Sequence, residues 1–280
     1  MLLGGIEAGG TKWVLATGTG PDDLRTQTTI PTTEPDETLA RVAEFFAGSG
    51  IDALGVGSFG PVDLATGTIT TTPKPGWAGT RLVERLDALI GVPVTFDTDV
   101  NAAALGELRW GAAQGLDTFV YLTIGTGIGG GVVVGGEPVH GLSHPELGHM
   151  RIPHDRARDP FAGSCPYHGD CFEGLASGTA LKARGAEDWE LEAEYVALGV
   201  VNAVASVSPQ RVILGGGVMK TPGLLERVRA RATELAGGYF PEPDVVAPGL
   251  GDYAGVLGAL ELARSSSTRS AIESTISDGR

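Results

Sequence analysis

Tyr121-Leu122-Thr123-Ile124-Gly125-Thr126-Gly127-Ile128-Gly129-Gly130-Gly131-Val132-Val133-Val134 is the stretch on which the fold turns. An apolar run enters a glycine turn, and a β-branched run leaves it. Gly125 to Gly130 has the G-x-G-x-x-G spacing of a dinucleotide fingerprint. That fingerprint opens a helix, whereas three valines follow Gly131 and favour a strand. An NAD-dependent oxidoreductase is therefore disfavoured. The stretch reads as a β-hairpin whose turn is either merely tight or a concave nest of N–H groups that binds an anion.

An echo stands about 115 residues earlier, where Glu7-Ala8-Gly9-Gly10-Thr11-Lys12 leads into Trp13-Val14-Leu15. Two strand–turn–strand units at half-chain distance suggest a duplicated α/β domain with a cleft between the halves. Thr11, Thr123, Thr126 and the cation Lys12 favour phosphate as the anion. Between the turns, Leu39–Phe46, Leu82–Leu89 and Ala193–Val204 carry helical apolar stripes. Trp13–Ala16, Leu54–Gly57, Val92–Phe96, Phe119–Ile124, Val132–Val134 and Val212–Leu214 read as strands. Alternation of the two is the mark of an α/β architecture. The boundary falls near Gly111–Gly115, giving a first domain 1–112 completed by a helix over 253–264, a second domain 113–252, and a Ser/Thr-rich disordered tail 265–280. A third glycine cluster, Gly215-Gly216-Gly217, follows a strand and either admits a flat base or simply turns the chain.

Glycine makes up 44 of 280 residues, so close backbone approach must be in use at many points. The net charge of −14 lacks the basic footprint that nucleic acid or an anionic membrane requires. The N-terminus has no basic and long apolar leader, and Phe119–Gly136 has too much glycine for a lipid-facing helix. Two cysteines are too few for a secreted disulfide scaffold. The expectation is a soluble cytoplasmic protein.

Two clusters carry chemistry. The apolar strand Val92–Phe96 ends in Asp97-Thr98-Asp99-Val100-Asn101, and ligands of open α/β folds bind at such carboxyl ends. Phosphoryl transfer to a hydroxyl needs a carboxylate that orients and deprotonates it, for which Asp99 is the candidate. Asp97, Asp99 and Asn101 would equally serve as helix N-caps. The second cluster is Cys165-Pro166-Tyr167-His168-Gly169-Asp170-Cys171, with His140, His144, His149 or His154 able to complete a set of four. Its spacing favours zinc over a Cys165–Cys171 disulfide or two free thiols.

Together, Glu7–Lys12, Asp99–Glu107, Gly125–Gly131, Glu146-Leu147-Gly148-His149 and Cys165–Cys171 resemble the ROK family of sugar kinases. Glu7–Lys12, Thr72–Trp77 and the cysteine run resemble its fructokinase branch. The resemblance implies an actin-like (ribonuclease H-like) duplicated two-domain α/β ATPase fold with an interdomain cleft. It implies ATP-dependent phosphorylation of a hexose, foremost D-fructose to the 6-phosphate, with mannose or glucose as alternative substrates. It makes Asp99 the base, and Gly60, Pro61, Asn101, Glu146, His149 and Glu173 the sugar contacts. Gly10, Thr11, Lys12, Thr126 and Gly127 would meet phosphate. Thr179, Gly215, Gly216, Gly217, Val218 and Met219 would meet adenosine. His149, Cys165, His168 and Cys171 would bind structural Zn²⁺, Mg²⁺ would accompany ATP, and the assembly would be a homodimer. Transcriptional regulators of the family place a DNA-binding segment ahead of the first glycine motif, which here starts at Gly4 and leaves no room.

Overall fold

The strands and helices have been located in a computed structural model that describes residues 1–185, 188–239 and 241–277, with side chains through Ser265. The chain opens with β1 (Leu3–Ala8), β2 (Lys12–Gly20) and β3 (Asp23–Pro31), continues through α1 (Pro35–Phe46) to β4 (Ala53–Ser58), and then forms three two-residue strands. These are β5 (Val62–Asp63), β6 (Thr68–Ile69) and β7 (Thr80–Arg81), a small antiparallel sheet of their own. There follow α2 (Leu82–Ile90), β8 (Val94–Thr98) and α3 (Asp99–Trp110). The second half contains β9 (Phe119–Ile124), β10 (Ile128–Val134), β11 (Glu137–Pro138), α4 (Phe172–Ala176), α5 (Gly178–Arg184), α6 (Trp189–Val207), β12 (Arg211–Gly215), α7 (Leu224–Ala236) and β13 (Val245–Val246). It ends with α8 (Ala254–Ser277).

These elements form two units. The first comprises Met1–Gly111, Gly141–His144 and Asp252–Arg280, and the second comprises Ala112–His140 and Pro145–Gly251. The return of four residues, 141–144, to the first unit has no counterpart in the sequence reading. The two main sheets have the same plan. In the first the order is β3-β2-β1-β4-β8, in the second β11-β10-β9-β12-β13. The first two pairings in each sheet are antiparallel and the last two parallel. The echo between Gly10 and Gly125 is thus a duplication of whole sheets.

Glycine decides how the first sheet is covered. On one face of β1 and β4, a Cβ at Gly55 would lie 1.8 Å from the Ala259 carbonyl oxygen, and one at Gly5 2.9 Å from that of Val256. Helix α8 therefore lies with its backbone on the sheet. It meets α3 in the same way, since a Cβ at Gly258 would lie 1.6 Å from the Ala102 oxygen. The other face is filled by side chains, with Ile6, Leu54, Val56, Leu39, Val42, Leu82 and Leu86 around Trp13 and Trp77. In the second unit, Val196, Ala197, Val200 and Ala203 of α6 share one buried core with Val120, Leu122, Val212 and Leu214.

Several expected bounds shift. The strand before the acidic cluster is Val94–Thr98, so Asp97 lies inside it and Asp99 opens the helix. Leu89, read as part of an apolar stripe, is exposed. Helix α8 is continuous to Ser277, where a structureless tail was expected from Ser265; residues 278–280 of that tail lie outside the described residues. Among the described residues, no helix is long and apolar enough to cross a membrane.

Candidate active site

At the end of β8 three neighbouring residues have different tasks. Thr98 caps α3, its hydroxyl oxygen accepting from the Asn101 N–H at 3.1 Å. Asp97 is buried and accepts from the Thr98 N–H at 2.7 Å and from Asn101 Nδ2 at 2.8 Å. Asp99 is half-buried at the first helical position, with Oδ1 accepting from the Val100 N–H at 2.9 Å. The cap is therefore none of the three residues the sequence offered. Asn101, expected among the sugar contacts, is fully buried. Its side chain ties the start of α3 to β8.

Gly60 and Pro61, joined by a cis peptide, precede β5. His144 holds this segment, its Nε2 accepting from the Val62 N–H at 3.2 Å. Eighty-two positions separate the pair, so no local sequence signal could have announced it. The first glycine turn is closed by Gly9 N–H to Lys12 O at 3.0 Å, and Thr32 pins it by donating its hydroxyl to Gly9 O at 2.7 Å. Gly10, Thr11 and Lys12 are exposed at its tip. Glu7 sits just before this turn, in β1. Burial pushes its carboxyl up to about 7 against the pull of Lys12, while Asp252 adds to the rise and the Val256 N–H opposes it.

In the second unit, Gly125 N–H bonds to Gly127 O at 2.9 Å across the other glycine turn. Its outer faces are held: Gly125 O accepts from Gly178 N–H at 2.7 Å, and Thr126 O from the Thr179 hydroxyl at 2.7 Å. Glu173 Oε2 accepts from the Ile128 N–H at 2.9 Å. Among the described residues, the turn donors left without a protein acceptor are the N–H groups of Thr126 and Gly127. The third cluster is shaped by backbone need: Gly216 has φ +93°, and a Cβ there would lie 2.3 Å from Ile124 O. Gly217 is open, and Val218 and Met219 begin a short 3₁₀ turn.

Glu146 precedes, and His149 ends, a 3₁₀ turn, Leu147–His149, beside the second sheet. Burial raises the Glu146 carboxyl above its usual range; His149 opposes the rise and Glu173 adds to it. His149, Cys165, His168 and Cys171 converge, with ligand atoms all within 4.8 Å of one another. Cys165 Sγ is 3.8 Å from His149 Nδ1 and 3.7 Å from His168 Nδ1, and Cys171 Sγ is 3.6 Å from His149 Nδ1. Bonds of about 2.0–2.3 Å from a tetrahedral centre place ligands about 3.3–3.8 Å apart, so these residues fit zinc. Neither cysteine is in a disulfide. Of the other histidines, His144 belongs to the first unit, and His154 lies between Asp159 O and Asp170 Oδ2. Asp170, between two ligands in sequence, also accepts from Arg151 and Arg156, which fixes the loop from outside.

The ROK family pattern matches residues 3–191 and 184–266. A fructokinase of Zymomonas mobilis is 44% identical over 290 residues, covering 94% of this chain and 96% of its own. The crystal structure of a ROK hexokinase from Thermus thermophilus superposes with a TM-score of 0.79 at 31% identity, over 96% of this chain and all of that one. A ROK glucokinase of Streptomyces griseus, in complex with glucose and AMPPNP, gives a TM-score of 0.81 at 27% identity over 95% of this chain and 100% of its own. The duplicated sheets are thus the actin-like ATPase plan of these kinases, and with the match running nearly end to end the protein belongs to the ROK family.

Proposed function

We propose that this ROK protein is an ATP-dependent fructokinase, forming fructose 6-phosphate from D-fructose. The observation that carries the mechanism is the position of Asp99, which opens α3 directly after β8 with its Oδ1 on the Val100 N–H. Thr98 caps that helix, and the half-buried Asp99 carboxylate stands at the carboxyl end of β8, the last strand of its sheet. As the sugar 6-hydroxyl oxygen bonds to the γ-phosphorus and the bond to the ADP oxygen breaks, Asp99 accepts the hydroxyl proton. In the same unit Gly60 and Pro61 offer backbone to the sugar, and Gly10, Thr11 and Lys12 offer donors to phosphate. In the second unit Glu146, His149 and Glu173 bind sugar hydroxyls, Thr126 and Gly127 meet phosphate, and Thr179 with Gly215–Met219 borders the nucleoside. When bound, Mg²⁺ neutralises phosphate charge that one lysine and backbone dipoles cannot match. Zinc held by His149, Cys165, His168 and Cys171 has a full shell, which suits structure and leaves no position for catalysis.

Asp99→Asn should fold normally and lose about 10²–10⁴-fold in kcat, measured by ADP release with a panel of hexoses. Fructose should be preferred over mannose and glucose by the wild type. Retention of more than about a tenth of wild-type turnover by the variant would remove Asp99 as the base.

A further inference from the structure

The structure assigns Glu173 a second duty: it is a positioning residue that braces the Gly125–Ile128 turn, so that the phosphate donors of Thr126 and Gly127 are held from the loop that carries the metal ligands. The inference rests on the reading of that turn as a phosphate site. Glu173 Oε2 reaches 45 residues back to the Ile128 N–H at 2.9 Å. Gly127 is shaped to admit it, since a Cβ there would lie 2.6 Å from the same oxygen. The Ile128 carbonyl is pressed more closely still, with a Cβ at Gly148 falling 2.0 Å from its oxygen. Ile128 is therefore gripped on both sides by residues next to ligands: Gly148 precedes His149, and Glu173 follows Cys171 by two. Gly178 and Thr179 hold the other half of the turn.

A turn of Gly-Thr-Gly is loose by composition, and ordering it costs backbone entropy at each residue. Bonds made in advance by Glu173, Gly178 and Thr179 meet that cost before nucleotide arrives. The charge of Glu173 cannot be the reason for its presence here, because a carboxylate beside a phosphate nest repels the anion. What the turn needs is an acceptor of the right reach. Glutamine supplies the same reach without charge; aspartate has the charge but is one methylene short.

The test compares Glu173→Gln, Glu173→Asp and Glu173→Ala for binding of Mg·ATP without sugar, by calorimetry, and for amide exchange across residues 125–128. Glu173→Gln should bind nucleotide within about threefold of wild type or more tightly, with slow exchange at the turn. Glu173→Asp and Glu173→Ala should bind about tenfold or more weakly, with faster exchange at the turn. Equal losses in Gln and Asp variants, or wild-type affinity and exchange in the Asp variant, would overturn the brace. A wild-type chain that binds no nucleotide would overturn the phosphate reading, and the exchange comparison would still decide whether Glu173 braces the turn.

Discussion

Asp97, Thr98 and Asp99 are adjacent, similar in size and all able to accept hydrogen bonds, yet Asp97 ties α3 to β8, Thr98 caps the helix and Asp99 opens it. Only the backbone separates them, by ending the strand at Thr98 and starting the helix at Asp99. Elsewhere a single residue is held at odds with its surroundings. Glu192, in α6, is fully buried, and neither carboxyl oxygen has a hydrogen-bond partner among the described residues. Loss of solvation pushes its carboxyl up to about 8, although the Arg184 charge pulls the other way. The folded chain thus holds a proton that the unfolded chain releases above the ordinary carboxyl range, so this residue costs stability progressively as pH rises from about 4.5 to about 8. Glu192→Gln should melt progressively higher than wild type as pH is raised across that window, relative to the difference at pH near 4.5. Parallel melting curves against pH would show that the carboxyl is ionised in the fold. The ambiguity at 97–101 was legible in the sequence as an ambiguity. The burial of Glu192 was not, since its neighbours on α6 are alternately charged and apolar.

Helix α8 shows what an element can owe to residues without side chains. It lies backbone to backbone on β1, β4 and α3 because Gly5, Gly55, Gly106 and Gly258 stand at the crossings. Gly258→Ala would set a methyl group into the Ala102 carbonyl, and forced overpacking costs about 1–3 kcal/mol or more. A fall in the denaturant midpoint with retained secondary structure is the expected result; an unchanged midpoint would mean that α8 slides freely on α3. The high glycine count pointed to close approaches without saying where, because their partners are far away in sequence. Several elements escaped notice, among them β3, α4 and α5. Strand β3 is an edge strand with mostly exposed or half-buried residues, so it carries little apolar alternation. Helix α7 did carry a signal, since its buried Leu224, Val228, Ala232 and Ala236 recur every fourth residue. The glycine turns and the Cys/His run were the most legible parts, as their geometry depends on local spacing.

For the molecule as a whole, the Cys/His cluster is the place to test the proposed coupling of metal, sugar and nucleotide. Cys171→Ser should keep both sheets, retain little of the roughly one zinc per chain expected of the wild type, and exchange amides faster over about residues 144–173. The KM for sugar should rise greatly. Through Glu173 and Gly148 the affinity for nucleotide should fall as well. Full activity and normal exchange in a metal-free preparation would return the cysteines to the role of buried thiols. The order of elements also bears on synthesis. The first unit lacks α8 until the polypeptide has been extended by about 140 residues beyond Gly111. At about 5–20 residues per second, that is a delay of about 7–28 s. Meanwhile β1 and β4 present a glycine-lined face with nothing on it, and the later unit has nearly all its own residues in hand. This protein should therefore mature from the middle outward on the ribosome, its beginning waiting for its end.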